Sequence, residues 1–140
     1  MLLSGLLSVL LSLQGSFGAP VLTRALTLVG SPYRFGGVTV EHGLDCAAFV
    51  RYSYEAAGIH LPRTSDSQWL AGWAVPRDEM RPGDLVFFRN TYRHGISHVG
   101  LYIGDGQFVH AASTKREIAV DRLDRPYYAA RFAGARRVMP

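Results

Sequence analysis

A chain of 140 residues with 48% hydrophobic and 19% charged side chains can bury one core, and this balance excludes disorder over most of its length. Lys and Arg number 15 against 11 Asp and Glu, a formal charge of +4, which suits an acidic polymer or surface without choosing one. The basic residues are scattered, apart from Arg131, Arg136 and Arg137, and no basic stripe alternates with aromatics, so no nucleic-acid partner is expected.

The first residues, Met1 to Leu13, are apolar and uncharged. They resemble the apolar region of a secretory signal, with Ser16-Phe17-Gly18-Ala19 as the cleavage region. Residues 1–19 are therefore expected to be a signal peptide or an N-terminal apolar segment, and 20–140 the functional domain. Export to the periplasm or cell envelope follows from that reading. The run is too short and too interrupted by serine for a membrane span. No cysteine lies near it, which excludes lipid attachment through an N-terminal cysteine.

Beyond Pro20, Leu22, Ala25, Leu26 and Val29 fall at the spacing of an amphipathic helix, with Gly30 as its stop. Pro32 and the pair Gly36-Gly37 then predict a shaped loop. Asp45 sits at an N-cap position before a helix running from Cys46 to about Ala57, ended by Gly58. Thr64 or Ser65 could cap a further short helix through Trp69. After Pro82 the pattern changes to short strands: Asp84–Phe88, His98–Ile103, Gln107–Ala112, Ile118–Asp121 and Phe132–Val138. Helices followed by strands predict an α+β domain, its N-terminal helices packed on one side of a central antiparallel sheet.

The chain has one cysteine, so neither an internal disulfide nor a multi-thiolate metal site can form. A lone cysteine is ordinarily a small buried residue. Cys46 departs from that default through its place at a helix start, where free N–H groups and the positive end of the helix dipole favour a thiolate. Glycines 36, 37 and 43 are expected to keep the approach to it open.

Two histidines follow on neighbouring strands. A three-residue turn of Gly104, Asp105 and Gly106 pairs Ile103 with Gln107, Gly100 with His110 and His98 with Ala112. In that register His98 and His110 share a sheet face as diagonal neighbours, roughly 7–8 Å apart at the backbone. A two-residue turn at Asp105-Gly106 would instead send them to opposite faces. Cys46, His98 and His110 can thus supply the nucleophile, the base and the group that orients the base. His42, His60 and His94 lie in expected loops, without the dense cluster a metal site requires. No metal and no cofactor is expected.

With these pieces in place, the chain resembles the NlpC-like cysteine peptidases of bacterial cell walls. The resemblance is carried, in order, by Gly30–Gly37, Gly43–Cys46, Ala57–Thr64, Arg81–Phe88, Ser97–Gly104, Phe108–Ala111 and the ending Gly134–Val138. It implies a papain-like fold and hydrolysis of peptidoglycan stem peptides, usually between D-glutamate and the following diamino acid; separately, the chain is expected to be a monomer. It carries over Cys46 as nucleophile, His98 as base and His110 as the third polar residue. Tyr33, Asp45, Ala47 and Ser97 are placed around the substrate. One departure stands out: where the family usually reads Asp-Cys-Ser-Gly, this chain reads Asp45-Cys46-Ala47-Ala48. The missing hydroxyl leaves open a module that binds wall without cleaving it. A third reading, a different acyl transfer at the same site, is disfavoured because cysteine precedes histidine in the chain.

Overall fold

A computed structural model describes residues 18–139; the apolar run Met1 to Leu13 lies outside them. Helix α1 (Ala19–Thr27) opens on a proline in its first turn, where no N–H is needed, and buries Val21, Leu22, Ala25 and Leu26. It ends two residues before the expected Val29, because the N–H of Leu28 turns back to the carbonyl of Ala25 at 3.1 Å. A small ribbon, β1 (Val38–Thr39) with β2 (Gly43–Leu44), leads to α2 (Cys46–Glu55). The Asp45 carboxylate caps α2 by accepting from the N–H of Ala48 at 2.8 Å. A single turn, α3 (Ser65–Gln68), follows.

The sheet is built from β3 (Trp73–Val75), β4 (Leu85–Arg89), β5 (Ile96–Gly104), β6 (Gln107–Ala112), β7 (Glu117–Arg122) and β8 (Phe132–Arg137). Its order is β3-β8-β4-β5-β6-β7. Each pairing is antiparallel, and the last strand slips between β3 and β4. The expected strands from Asp84 onward all form, within two residues of their predicted ends. β3 was not expected, since three residues are too few to establish an alternation.

Four successive residues of β4, Leu85 to Phe88, are fully buried, which requires cover on both faces of the sheet. Leu85 and Phe87 join the core formed with α1 and α2, including Leu22, Phe49 and Val50. Val86 and Phe88 point the other way, into a second core with Phe108, Leu123 and Tyr128. Tyr128 comes from a short helix, α4 (Pro126–Ala129), that the sequence reading did not foresee. The helices at the start of the chain thus cover one face as expected, and a smaller cap seals the other. This second face carries the histidines.

Candidate active site

The β5–β6 hairpin decides where the histidines point. Asp105 (φ +53°) and Gly106 (φ +72°) form a two-residue turn of the left-handed type that suits a twisted hairpin, and Gly104 pairs with Gln107. The expected three-residue turn is therefore corrected. Its consequence survives, because a register shift between Tyr102 and Gly104 inserts Ile103 as an extra residue. Tyr102 then pairs with Phe108 and Leu101 with Val109, the register expected for the body of the hairpin. Gly100 lies against His110: a Cβ there would approach the His110 Cβ to 3.0 Å and the Phe108 ring to 2.9 Å. Glycine leaves room for the imidazole.

His98 and His110 consequently meet, with Nε2 of His98 2.7 Å from Nδ1 of His110. The chain of contacts continues: Nε2 of His110 lies 2.8 Å from Oδ2 of Asp121. The other oxygen, Oδ1, accepts from Lys115 Nζ at 2.8 Å and from the Arg125 guanidinium at 2.9 Å. The sequence reading missed Asp121, Lys115 and Arg125. The signal was present, since Asp121 pairs with Phe108 and His110 with Ala119 across β6 and β7, the same diagonal relation that links the two histidines.

Burial sets the charge states here. It pushes His98 well below the ordinary histidine range; the neighbouring His110 adds to this and Asp121 opposes it. His110 is lowered by burial too, against the pull of the Asp121 hydrogen bond. For Asp121 burial would raise the carboxyl, but the hydrogen bonds from His110 and Lys115 outweigh it and hold it below the usual carboxylate range. The site therefore rests with neutral imidazoles and an ionised carboxylate.

Cys46 and His98 line one open cleft of about 560 Å³, shared with Tyr33, Tyr92, His110 and Tyr127 among others. The sulfur sits at the start of α2, at the margin of the first core, and the rings lie on the opposite face of the sheet. Burial pushes the Cys46 thiol from an ordinary value of 9.0 up to about 11, and the Asp45 charge adds to this. Backbone hydrogen bonds from Val99, Ala47 and Cys46 itself pull the other way but do not prevail. The expected lowering by the helix start is thus outweighed, because desolvation penalises the thiolate more than the local N–H groups reward it.

The four residues expected around the substrate separate. Tyr33 lines the cleft, and burial followed by the Cys46 and Asp45 charges raises its phenol. Asp45 is spent within the fold: besides capping α2 it pairs with Arg63 at 3.1 and 2.8 Å. Ser97 is fully buried, and its hydroxyl binds the N–H and hydroxyl of Thr91 at 3.0 and 2.5 Å. It reaches the cleft only through Thr91, which it anchors. Ala47 is buried in the first core and does not line the cleft. Gly37 and Gly43 also serve the fold, since a Cβ on Gly37 would meet the Gly43 carbonyl. Asp45, Ala47 and Ser97 thus do not line this cleft themselves; in the fold they support the loops and the helix that frame it. Among the described residues no cluster of His, Cys, Asp and Glu is arranged to hold a metal, and no helix is long and apolar enough to cross a membrane.

The chain is similar to several known proteins. The chain is 40% identical over 119 residues to the gamma-DL-glutamyl hydrolase of Bacillus subtilis, covering 84% of this chain and 29% of that protein. It is 38% identical over 121 residues to the murein DD-endopeptidase MepH of Escherichia coli, covering 84% of this chain and 45% of the relative. It thus spans less than half the length of either. A crystal structure of an NlpC/P60 family protein from Bacillus cereus superposes with a TM-score of 0.81 at 33% identity, over 88% of this chain and 40% of that one. The model of the NlpC/P60 family matches residues 30–137, a span that runs from the cleft loop before Tyr33 to the last strand and takes in Cys46, both histidines and Asp121; the chain belongs to the NlpC/P60 family.

Proposed function

We propose that this chain is a cysteine endopeptidase of peptidoglycan stem peptides, cutting between D-glutamate and the following diamino acid. The observation that carries the reading is the 2.7 Å contact between His98 and His110 at the wall of the cleft that Cys46 shares. With the Cys46 thiol and the His98 imidazole both neutral and both lining this cleft, the chemistry is general-base catalysis, in which His98 takes the Cys46 proton as sulfur attacks the scissile carbonyl. Backbone N–H groups at the start of α2 are suited to hold the resulting oxyanion. His98 then returns the proton to the leaving amine, and water releases the acyl group. Tyr33 orients the substrate from the cleft wall. No cofactor enters this cycle, and one copy of the chain completes it.

The names of the relatives, a gamma-DL-glutamyl hydrolase and a murein DD-endopeptidase, support action on cell-wall or gamma-glutamyl peptides and differ in the bond they specify. Choice of the D-glutamyl bond is therefore the part most open to measurement. Purified peptidoglycan incubated with this chain should release fragments whose masses show new D-glutamate termini, and Cys46→Ala should release none. Equal release by both proteins would overturn the peptidase reading; fragments split only at D-alanyl crosslinks would overturn the bond assignment. A wall substrate places the chain in the cell envelope, with residues 1–19 as the export segment, which N-terminal sequencing of the secreted form would check.

A further inference from the structure

Asp121 stands outside the Cys46, His98 and His110 set, yet it ends the same hydrogen-bonded line. Its carboxylate can only accept hydrogen bonds when ionised. The 2.8 Å contact from His110 Nε2 to Asp121 Oδ2 therefore places a proton on Nε2 of His110. A neutral His110 then has a bare Nδ1, which can only accept, so the 2.7 Å contact to His98 Nε2 places a proton on that nitrogen as well. A neutral His98 is left with a bare Nδ1.

We propose that Asp121 is a positioning residue for the reaction: it dictates the order of protons along His110 and His98, and so makes Nδ1 of His98 the nitrogen that takes the thiol proton. The proposal rests on the cysteine-peptidase reading and adds the group that fixes its base in one tautomer. Lys115 and Arg125 have their own part. Both only donate, and both hold Oδ1, which leaves Oδ2 for His110 and offsets the carboxylate's charge. His110 can then stay neutral beside a buried anion. Without such an acceptor the line could reverse, with His110 donating from Nδ1 and His98 carrying its proton on Nδ1, where it cannot act as base.

This geometry makes Asp121→Asn an informative change. Lys115 and Arg125 can bind only the amide oxygen, so the amide NH₂ must face Nε2 of His110 and donate to it. The proton order is then inverted with little change in shape. Nitrogen-15 NMR of the imidazoles should find Nε2–H on both histidines in the wild type and Nδ1–H on both in Asp121→Asn. The value of kcat/KM should fall about 10³- to 10⁴-fold, the scale of the corresponding carboxylate-to-amide change in a serine triad. Alkylation of Cys46 by iodoacetamide should slow in parallel. Adding Lys115→Met and Arg125→Met to Asp121→Asn frees the amide to turn its oxygen toward His110, and should restore the Nε2–H tautomer with at least about tenfold of the lost rate; a purely structural role for Asp121 predicts further loss instead. A wild-type spectrum with the proton on Nδ1 of His98, or an Asp121→Asn protein with unchanged tautomers and rate, would overturn the proposal. The wild-type spectrum decides even if the variant fails to fold. Because the spectra and the alkylation need no peptidoglycan, the expected tautomers in a protein that leaves wall intact would refute the substrate and uphold the proton order.

Discussion

Asp84 and Asp121 are both buried, at 3% and 4% exposure, and both are held by cationic side chains. Asp84, just before β4, accepts from Arg137 at 2.8 Å on each oxygen and from the N–H of Arg81. Its partners are used up in fastening the loop before β4 to the final strand, and neither line of contacts leads to the cleft. Asp121 has cations on one oxygen only, and the other meets an imidazole whose far nitrogen meets the imidazole at the cleft wall. Burial and charge are alike in the two cases. What separates a fastening carboxylate from one linked to the cleft wall is whether a partner can itself pass a hydrogen bond onward, which histidine does and arginine does not.

That contrast can be broken experimentally. The largest effect belongs to the line through Asp121: His98→Ala should lower kcat/KM by about 10⁴-fold or more with little change in thermal midpoint, since the ring is part-exposed at the cleft. A protein that kept its rate would remove His98 from the chemistry. Next comes Asp84→Ala, which leaves the Arg137 guanidinium without its buried partner and should cost about 3–5 kcal/mol of folding stability in urea titrations. The folded fraction should cleave at the normal rate. A slowed rate per folded molecule would show that Asp84 also reaches the cleft and would erase the distinction.

Gly100→Ala should affect both properties moderately. The added methyl meets the Phe108 ring and the His110 Cβ, which overpacks the sheet face by about 1–3 kcal/mol and displaces His110 from His98. Stability and rate should fall together, in contrast to either aspartate.

The smallest effects concern pH. The folded Cys46 thiol keeps its proton up to about 11, whereas an unfolded thiol loses it near 8.5. Stability should therefore decline as pH rises between these values, and thermal melts of Cys46→Ala should decline less. At the acid end His98 and His110 resist protonation in the fold. Stability should accordingly fall as pH drops below about 6.5, where the unfolded histidines take up protons first. A melting temperature flat from pH 7 to 5 would contradict the resistance of both rings to protonation in the fold.

Much of this was legible in the chain. Asp45 as cap, Cys46 at the helix start, Gly58 as stop and the strand of Gln107–Ala112 are all as expected, because caps, stops and alternation act over a few residues. The Asp105-Gly106 turn was misread, since a compensating bulge at Ile103 leaves no mark in composition. Ala47 looked like a lost polar contact and is instead a core methyl, because helix phase alone does not say which flank faces a cleft.

The sequence by itself determined the element types, the pairing of β5 with β6 that puts two imidazoles on one face, and a sulfur at a helix N-terminus. Only the tertiary structure decided that the thiol is held protonated rather than ionised, since desolvation depends on what packs around the sulfur from distant segments. It also decided that Asp121, from a third strand, closes the line behind His110, and that a carboxylate of equal burial at Asp84 does not. Local chemistry is written along the chain, but dielectric surroundings and the far end of a hydrogen-bonded line are properties of the packed whole.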